Sequence, residues 1–137
     1  MSKIPISKFF ETIGAPLTNV MWSWGSISQK SGDVFLKVWD DEKKKIDNKI
    51  CFKILNLEGI EISKSGYVER VQQIDKIKIE HRKGFLVIIY PKKNSQDKRQ
   101  IFDYKSDAVL PIIEIFEHDR QLWAEAGLAI KISELMV

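Results

Sequence analysis

Cysteine and histidine are nearly missing from this chain. Its 137 residues include one cysteine, Cys51, and two histidines, His81 and His118. A single cysteine forms no internal disulfide, which fits a reducing compartment. So few ligands at such spacings build no standard zinc site. Long apolar runs are missing too: none approaches the ~18 residues that a membrane span needs. The opening MSKIPISKFF lacks a signal peptide's apolar core and small-residue cleavage site. Together these absences lead us to expect a cytoplasmic protein without membrane contact, metal or other cofactor.

Common catalytic signatures are also missing. The sequence contains no G-x-S-x-G elbow, no G-x-G-x-x-G loop and no G-x-x-x-x-G-K-[ST] loop. Cys51 sits between Ile50 and Phe52 in an alternating run, the place of a packed thiol rather than an activated one. One enzymatic alternative stays open. Asp40, Asp41, Glu42 and Lys43, with Asp33 upstream, resemble the acids and lysine of a metal-dependent nuclease. Asp33 and Asp41 flank one strand, however, and are separated by about 25 Å if it is straight. A non-enzymatic role is the main expectation.

What is present is an ordinary globular composition. The chain is 44% hydrophobic and 30% charged, which argues for a packed core and against disorder. Net charge is +3, too small a surplus to diagnose nucleic-acid binding. The basic residues nevertheless come in runs: Lys43 to Lys45, His81 to Lys83, and Lys92, Lys93, Lys98 and Arg99. Each run alone reads as solubility. Converging on one face, they would attract phosphates.

Periodicity predicts one α+β domain spanning the whole chain, residues 1–137. Ile6, Phe9, Phe10 and Ile13 mark a short helix ending near Gly14. Strands are expected over Asn19 to Ser28, Val34 to Asp40 and Lys49 to Leu57. Residues 66–80 read as a helix that turns into a strand from Ile74. Phe85 to Tyr90, an unbroken apolar run, reads as a central strand. Ile101 to Tyr104 pairs back onto it, and Val109 to Phe116 with Gln121 to Ala126 forms a last hairpin. The tail is a strand or short helix. The whole makes a curled, mostly antiparallel sheet or small barrel of about six or seven strands with two helices.

The tryptophans carry the functional reading. Trp22 and Trp24 point to one face of a strand. A hairpin turning at Gln29 to Gly32 sets Trp39 opposite position 22 and Lys37 opposite position 24, so the three tryptophans share a face. Val34, Leu36 and Val38 form the other face, the natural core, which leaves the aromatic face partly wet. Rings beside Asp40 and Asp41 suit a flat polar ligand such as a nucleobase, or a methylammonium group. The same rings could equally pack under helices.

The segments G-A-P-L, W-S-W-G, V-F-L-K-V-W-D-D-E and G-Y-V-E-R, followed by F-L-V-I-I-Y, resemble the domain found ahead of HNH nuclease modules in bacterial restriction-like proteins. The resemblance spans about residues 8–126; the HNH module itself is not seen, the histidines being too few. It implies a DNA-recognition domain in restriction, defence or anti-defence, reading a base, including a modified one. It places Trp22, Trp24, Trp39, Asp40, Asp41, Tyr67 and Arg70 around the base. Lys43, Lys92, Lys93, Lys98 and Arg99 would hold phosphates. For Tyr67 core packing, and for Arg70 an ion pair on its helix, are the structural alternatives. A protein-interaction module, such as a phage- or plasmid-encoded inhibitor or the partner of a nuclease, is the competing class.

Overall fold

An α+β fold of three helices and nine strands forms over residues 4–19, 23–58, 65–92 and 101–135, the part of the chain that the computed structural model describes. In chain order the elements are α1 (Ile6–Thr12), β1 (Gly25–Ile27), β2 (Val34–Trp39), a 3-10 turn (Asp40–Glu42), β3 (Lys43–Ile46) and β4 (Lys49–Asn56). They continue with α2 (Ser65–Lys78), β5 (Gly84–Pro91), β6 (Ile101–Tyr104), β7 (Ala108–His118), β8 (Gln121–Ala126), β9 (Ile130–Lys131) and α3 (Ile132–Leu135). The strands join in the order β1-β2-β5-β7-β8-β4-β3, with β6 on β5 and β9 on β7. Among the described strands only β2 and β5 pair in parallel, and α2 lies in the crossover between them.

Local chemistry explains most elements. Gly14 follows α1 in the left-handed conformation (φ 79°), which a glycine adopts without strain. The β3–β4 hairpin turns on Asp47 and Asn48 and the β7–β8 hairpin on Asp119 and Arg120. All four have positive φ, between 51° and 65°, as a two-residue hairpin turn with the sheet's own twist requires. The strand β5 is covered on both faces. Phe85, Val87 and Ile89 pack under α1 with Phe9, Phe10 and Phe35, whereas Leu86 and Ile88 pack under α2 with Val34, Leu36, Val38 and Ile74. An unbroken apolar run is what two buried faces require.

Three expectations need correcting. The helix α2 continues to Lys78 instead of giving way to a strand at Ile74. Ile74 and Ile77 lie at helical spacing against the core, and Ile79, which strand alternation would bury beside Ile77, is 70% exposed. Sequence periodicity missed β3, because Lys43 to Lys45 are all exposed and show no alternation. An edge strand with a single ladder partner needs none, and its lysines discourage further pairing. The sheet is mixed, open and has nine strands rather than about six or seven, with a third short helix at the end.

The sheet curls until β2 and β4 face each other. Residues of both strands share one core although three strands separate them in the sheet order. No ladder joins them. The strand β1 runs beside β2 only as far as Leu36, and β3 covers only the first half of β4. A seam is left where both short edge strands run out, and α2 lies over it.

A polar seam under helix α2 as the candidate site

The helix α2 turns Tyr67, Val71, Ile74 and Ile77 toward the core. Arg70 sits in that stripe, three residues after Tyr67 and four before Ile74, and is only 3% exposed. Its guanidinium closes the seam. Nη1 donates to the Ile54 carbonyl of β4, and Nη2 donates to the carbonyls of Trp24 and Lys37, all at 2.7 Å. Ile54 is the extra residue where the β4–β8 register slips, so its carbonyl is available. Lys53 of β4 adds a second tie across the seam, to Glu42 at 2.6 Å.

Neighbouring polar groups fill the space beside Arg70. The Ser23 hydroxyl donates to Glu69 Oε2 at 3.2 Å and accepts from the Asn19 amide. Lys37 Nζ donates to the Ser23 carbonyl at 3.0 Å and lies 5.8 Å from the centre of the Phe10 ring. Gln73, also 3% exposed, points its Oε1 at Gly25, where a Cβ would lie 2.5 Å from it. Among the described residues, Glu69 Oε1, Arg70 Nε and Gln73 Oε1 are buried without a hydrogen-bond partner. The Trp24 ring lies beside them, its centre 5.9 Å from Arg70 Cζ. Ser26 Oγ is unpartnered as well, but its register partner is Phe35, which places it on the α1 face.

Burial shapes the electrostatics. Desolvation lowers the Lys37 pKa to about 8, helped by the Arg70 charge and opposed by Glu69. Desolvation also lowers Arg70 to about 10, against the pull of Glu69 and Glu42. Below about pH 8 Lys37 is charged in both folded and unfolded chains, and its buried ammonium costs stability. Above it the folded chain sheds that proton while the unfolded chain keeps it to 10.5, so stability rises with pH through this window. Burial raises Cys51 above 9.0 and Tyr104 above 10.0, which opposes the gain at higher pH. The expected result is a melting temperature that climbs by a few degrees between about pH 7 and 9. Lys37→Met should flatten that climb; an equal slope in the variant would exclude Lys37 as its source.

The structure distributes the sequence candidates unevenly. Three separated segments meet at the seam: W-S-W-G through Ser23, Trp24 and Gly25, V-F-L-K-V-W through Lys37, and G-Y-V-E-R through Glu69 and Arg70. Trp24 faces Lys37 as the hairpin register predicts, with the Lys37 amide donating to the Trp24 carbonyl at 2.8 Å. The partly wet aromatic face, however, is a second core. Phe35 is buried and stacked on Phe85, and Trp39 packs against the cluster under α1. Tyr67 is half-buried in the core under α2. Asp40 and Asp41 stand in the 3-10 turn that ends β2, where Lys43 reaches Asp40 at 3.4 Å. Lys92 follows β5 at that same end of the sheet, whereas His81 to Lys83 precede β5 at the other. Trp22, Lys93, Lys98 and Arg99 lie outside the described residues.

Among the described residues, other chemistry has no comparable arrangement. No group of three or more histidine, cysteine or acidic residues gathers as a metal site among the described residues. Cys51 is buried with a raised pKa, which disfavours the thiolate. Among the described residues no helix is long and apolar enough to cross a membrane. Glu69 and Gln73 were not singled out in the sequence as binding residues, whereas Glu42, named there as one of a cluster of acids, instead pairs with Lys53. The signal available was the polar Arg70 inside an apolar helical stripe. Comparisons with family models, with curated proteins and with solved structures return no match.

Proposed function

We propose that this protein is a non-catalytic DNA-binding module that takes a base into the seam. The observation that carries this reading is the set of buried, unpartnered groups Glu69 Oε1, Arg70 Nε and Gln73 Oε1 beside the Trp24 ring. Buried polar atoms ordinarily find partners, so a polar guest is a reason for these to lack one. A base offers a flat face to Trp24 and a polar edge to the helix. Phosphates then meet β3, which starts one residue after Glu42 and carries exposed Lys43, Lys44 and Lys45 away from the seam. DNA as the polymer, and a restriction or defence setting, follow from the resemblance of the three converging segments.

Fluorescence anisotropy with labelled DNA tests this. Binding is expected at low salt and weakens as salt rises. Reversing Lys44 and Lys45 to glutamate should weaken it by about tenfold or more and flatten its salt dependence by roughly one unit of slope per lost phosphate contact. Trp24→Ala should weaken it with the salt slope unchanged. Absence of DNA binding at low salt would sink the proposal.

A protein-interaction module is the second reading, favoured by one observation. A surface groove of about 490 Å³ between the start of α1 and β6 is lined by Ile4, Ile101 and Phe102, and Phe102 is 70% exposed. Copurification of a partner protein, with no DNA binding at low salt, would select it.

A further inference from the structure

We infer that the seam selects bases that carry an exocyclic amino group. This rests on the DNA-binding reading and names the chemistry of its guest. Glu69, Arg70 and Gln73 occupy adjacent turns of one face of α2, opposite Ser23, Trp24 and Gly25. Glu69 Oε1 and Gln73 Oε1 accept hydrogen bonds, and Arg70 Nε donates one. The unpartnered set is therefore two acceptors and one donor.

A guest satisfies that set only by offering two N–H donors beside one acceptor. Cytosine and adenine do so with an amino group next to a ring nitrogen. Guanine does so with its ring N–H, its amino group and its keto oxygen. Uracil, thymine and hypoxanthine have one N–H on the polar edge and leave a buried acceptor bare. Glu69 is the deciding group, because Ser23 already holds its Oε2 and only its Oε1 is left to meet the guest. A carboxylate penalises a facing keto oxygen as well as missing a facing N–H.

The experiment uses the full chain and single-stranded oligonucleotides matched except for the amino group: cytosine against uracil, and adenine against hypoxanthine. The amino member of each pair should bind about tenfold tighter or more. Glu69→Gln should shrink that ratio toward one while its melting curve stays cooperative. If that variant fails to fold, the paired series on the unaltered chain decides alone. Equal, salt-dependent binding within both pairs would overturn the amino preference and leave DNA binding standing. Tighter binding of the keto members would overturn it too. No binding of any oligonucleotide at low salt would overturn both.

Discussion

Replacing Arg70 by methionine lowers the melting temperature by roughly 10–20 °C. The side chain makes three 2.7 Å hydrogen bonds to carbonyls on the two walls of the seam. Hydrogen bonds from a charged donor are the strong ones; the Trp24 carbonyl keeps the Lys37 amide, but the Ile54 and Lys37 carbonyls lose the donor that holds them. Methionine fills much of the volume but satisfies none of them. Leaving buried acceptors bare costs about 1–3 kcal/mol each, and Glu69 also loses a nearby positive charge. Arg70→Lys should recover only a small part. An ammonium is a point charge, whereas the fork of the guanidinium reaches both walls at once. Thermal unfolding followed by circular dichroism measures the loss. A methionine variant that melts within a few degrees of the parent would show that the seam closes without the guanidinium.

Gly25→Ala should cost about 2–3 kcal/mol, close to 10 °C in melting temperature. An added Cβ would lie 2.5 Å from the Phe35 carbonyl, 2.5 Å from Gln73 Oε1 and 3.3 Å from Leu36 Cα. The glutamine could swing away, but the Phe35 carbonyl belongs to the β1–β2 ladder and cannot. The reduced freedom of the unfolded alanine chain returns only about 0.4–1 kcal/mol. The double variant Gly25→Ala, Gln73→Ala separates the two contacts. It should remain clearly less stable than Gln73→Ala alone, since the backbone clash persists. Equal stability of those two would place the whole cost on the glutamine.

The sequence disclosed the elements more readily than their assembly. The run F-L-V-I-I-Y announced a strand with two covered faces, and the V-F-L-K-V-W hairpin announced its register, Trp24 against Lys37. Both signals are local. The lysine strand β3 was hidden because its place at the sheet edge frees it from alternation. The burial of Phe35 and the packing of half-buried Trp39 were hidden for a different reason. Alternation tells which residues share a face, but not that α1, some 25 positions earlier, roofs that face. The seam was the least legible of all. Its groups come from positions near 24, 37, 54 and 70, and only the curl of the sheet brings them together. Arg70 did stand out as a charge inside an apolar helical stripe, yet no local pattern names the carbonyls it meets.

The closure of the seam resembles a coordination site more than a salt bridge. Three carbonyl oxygens converge on one positive group, as they do on a metal cation held by backbone oxygens, but here the cation is tethered to the helix that crosses it. A tethered cation cannot be chelated, exchanged or diluted away. Because the guanidinium is buried, dissolved salt screens it little. The joint that shapes the candidate site is therefore insensitive to ionic strength, while the exposed lysines of β3 respond to it. One chain thus combines a salt-indifferent joint with a salt-sensitive edge strand.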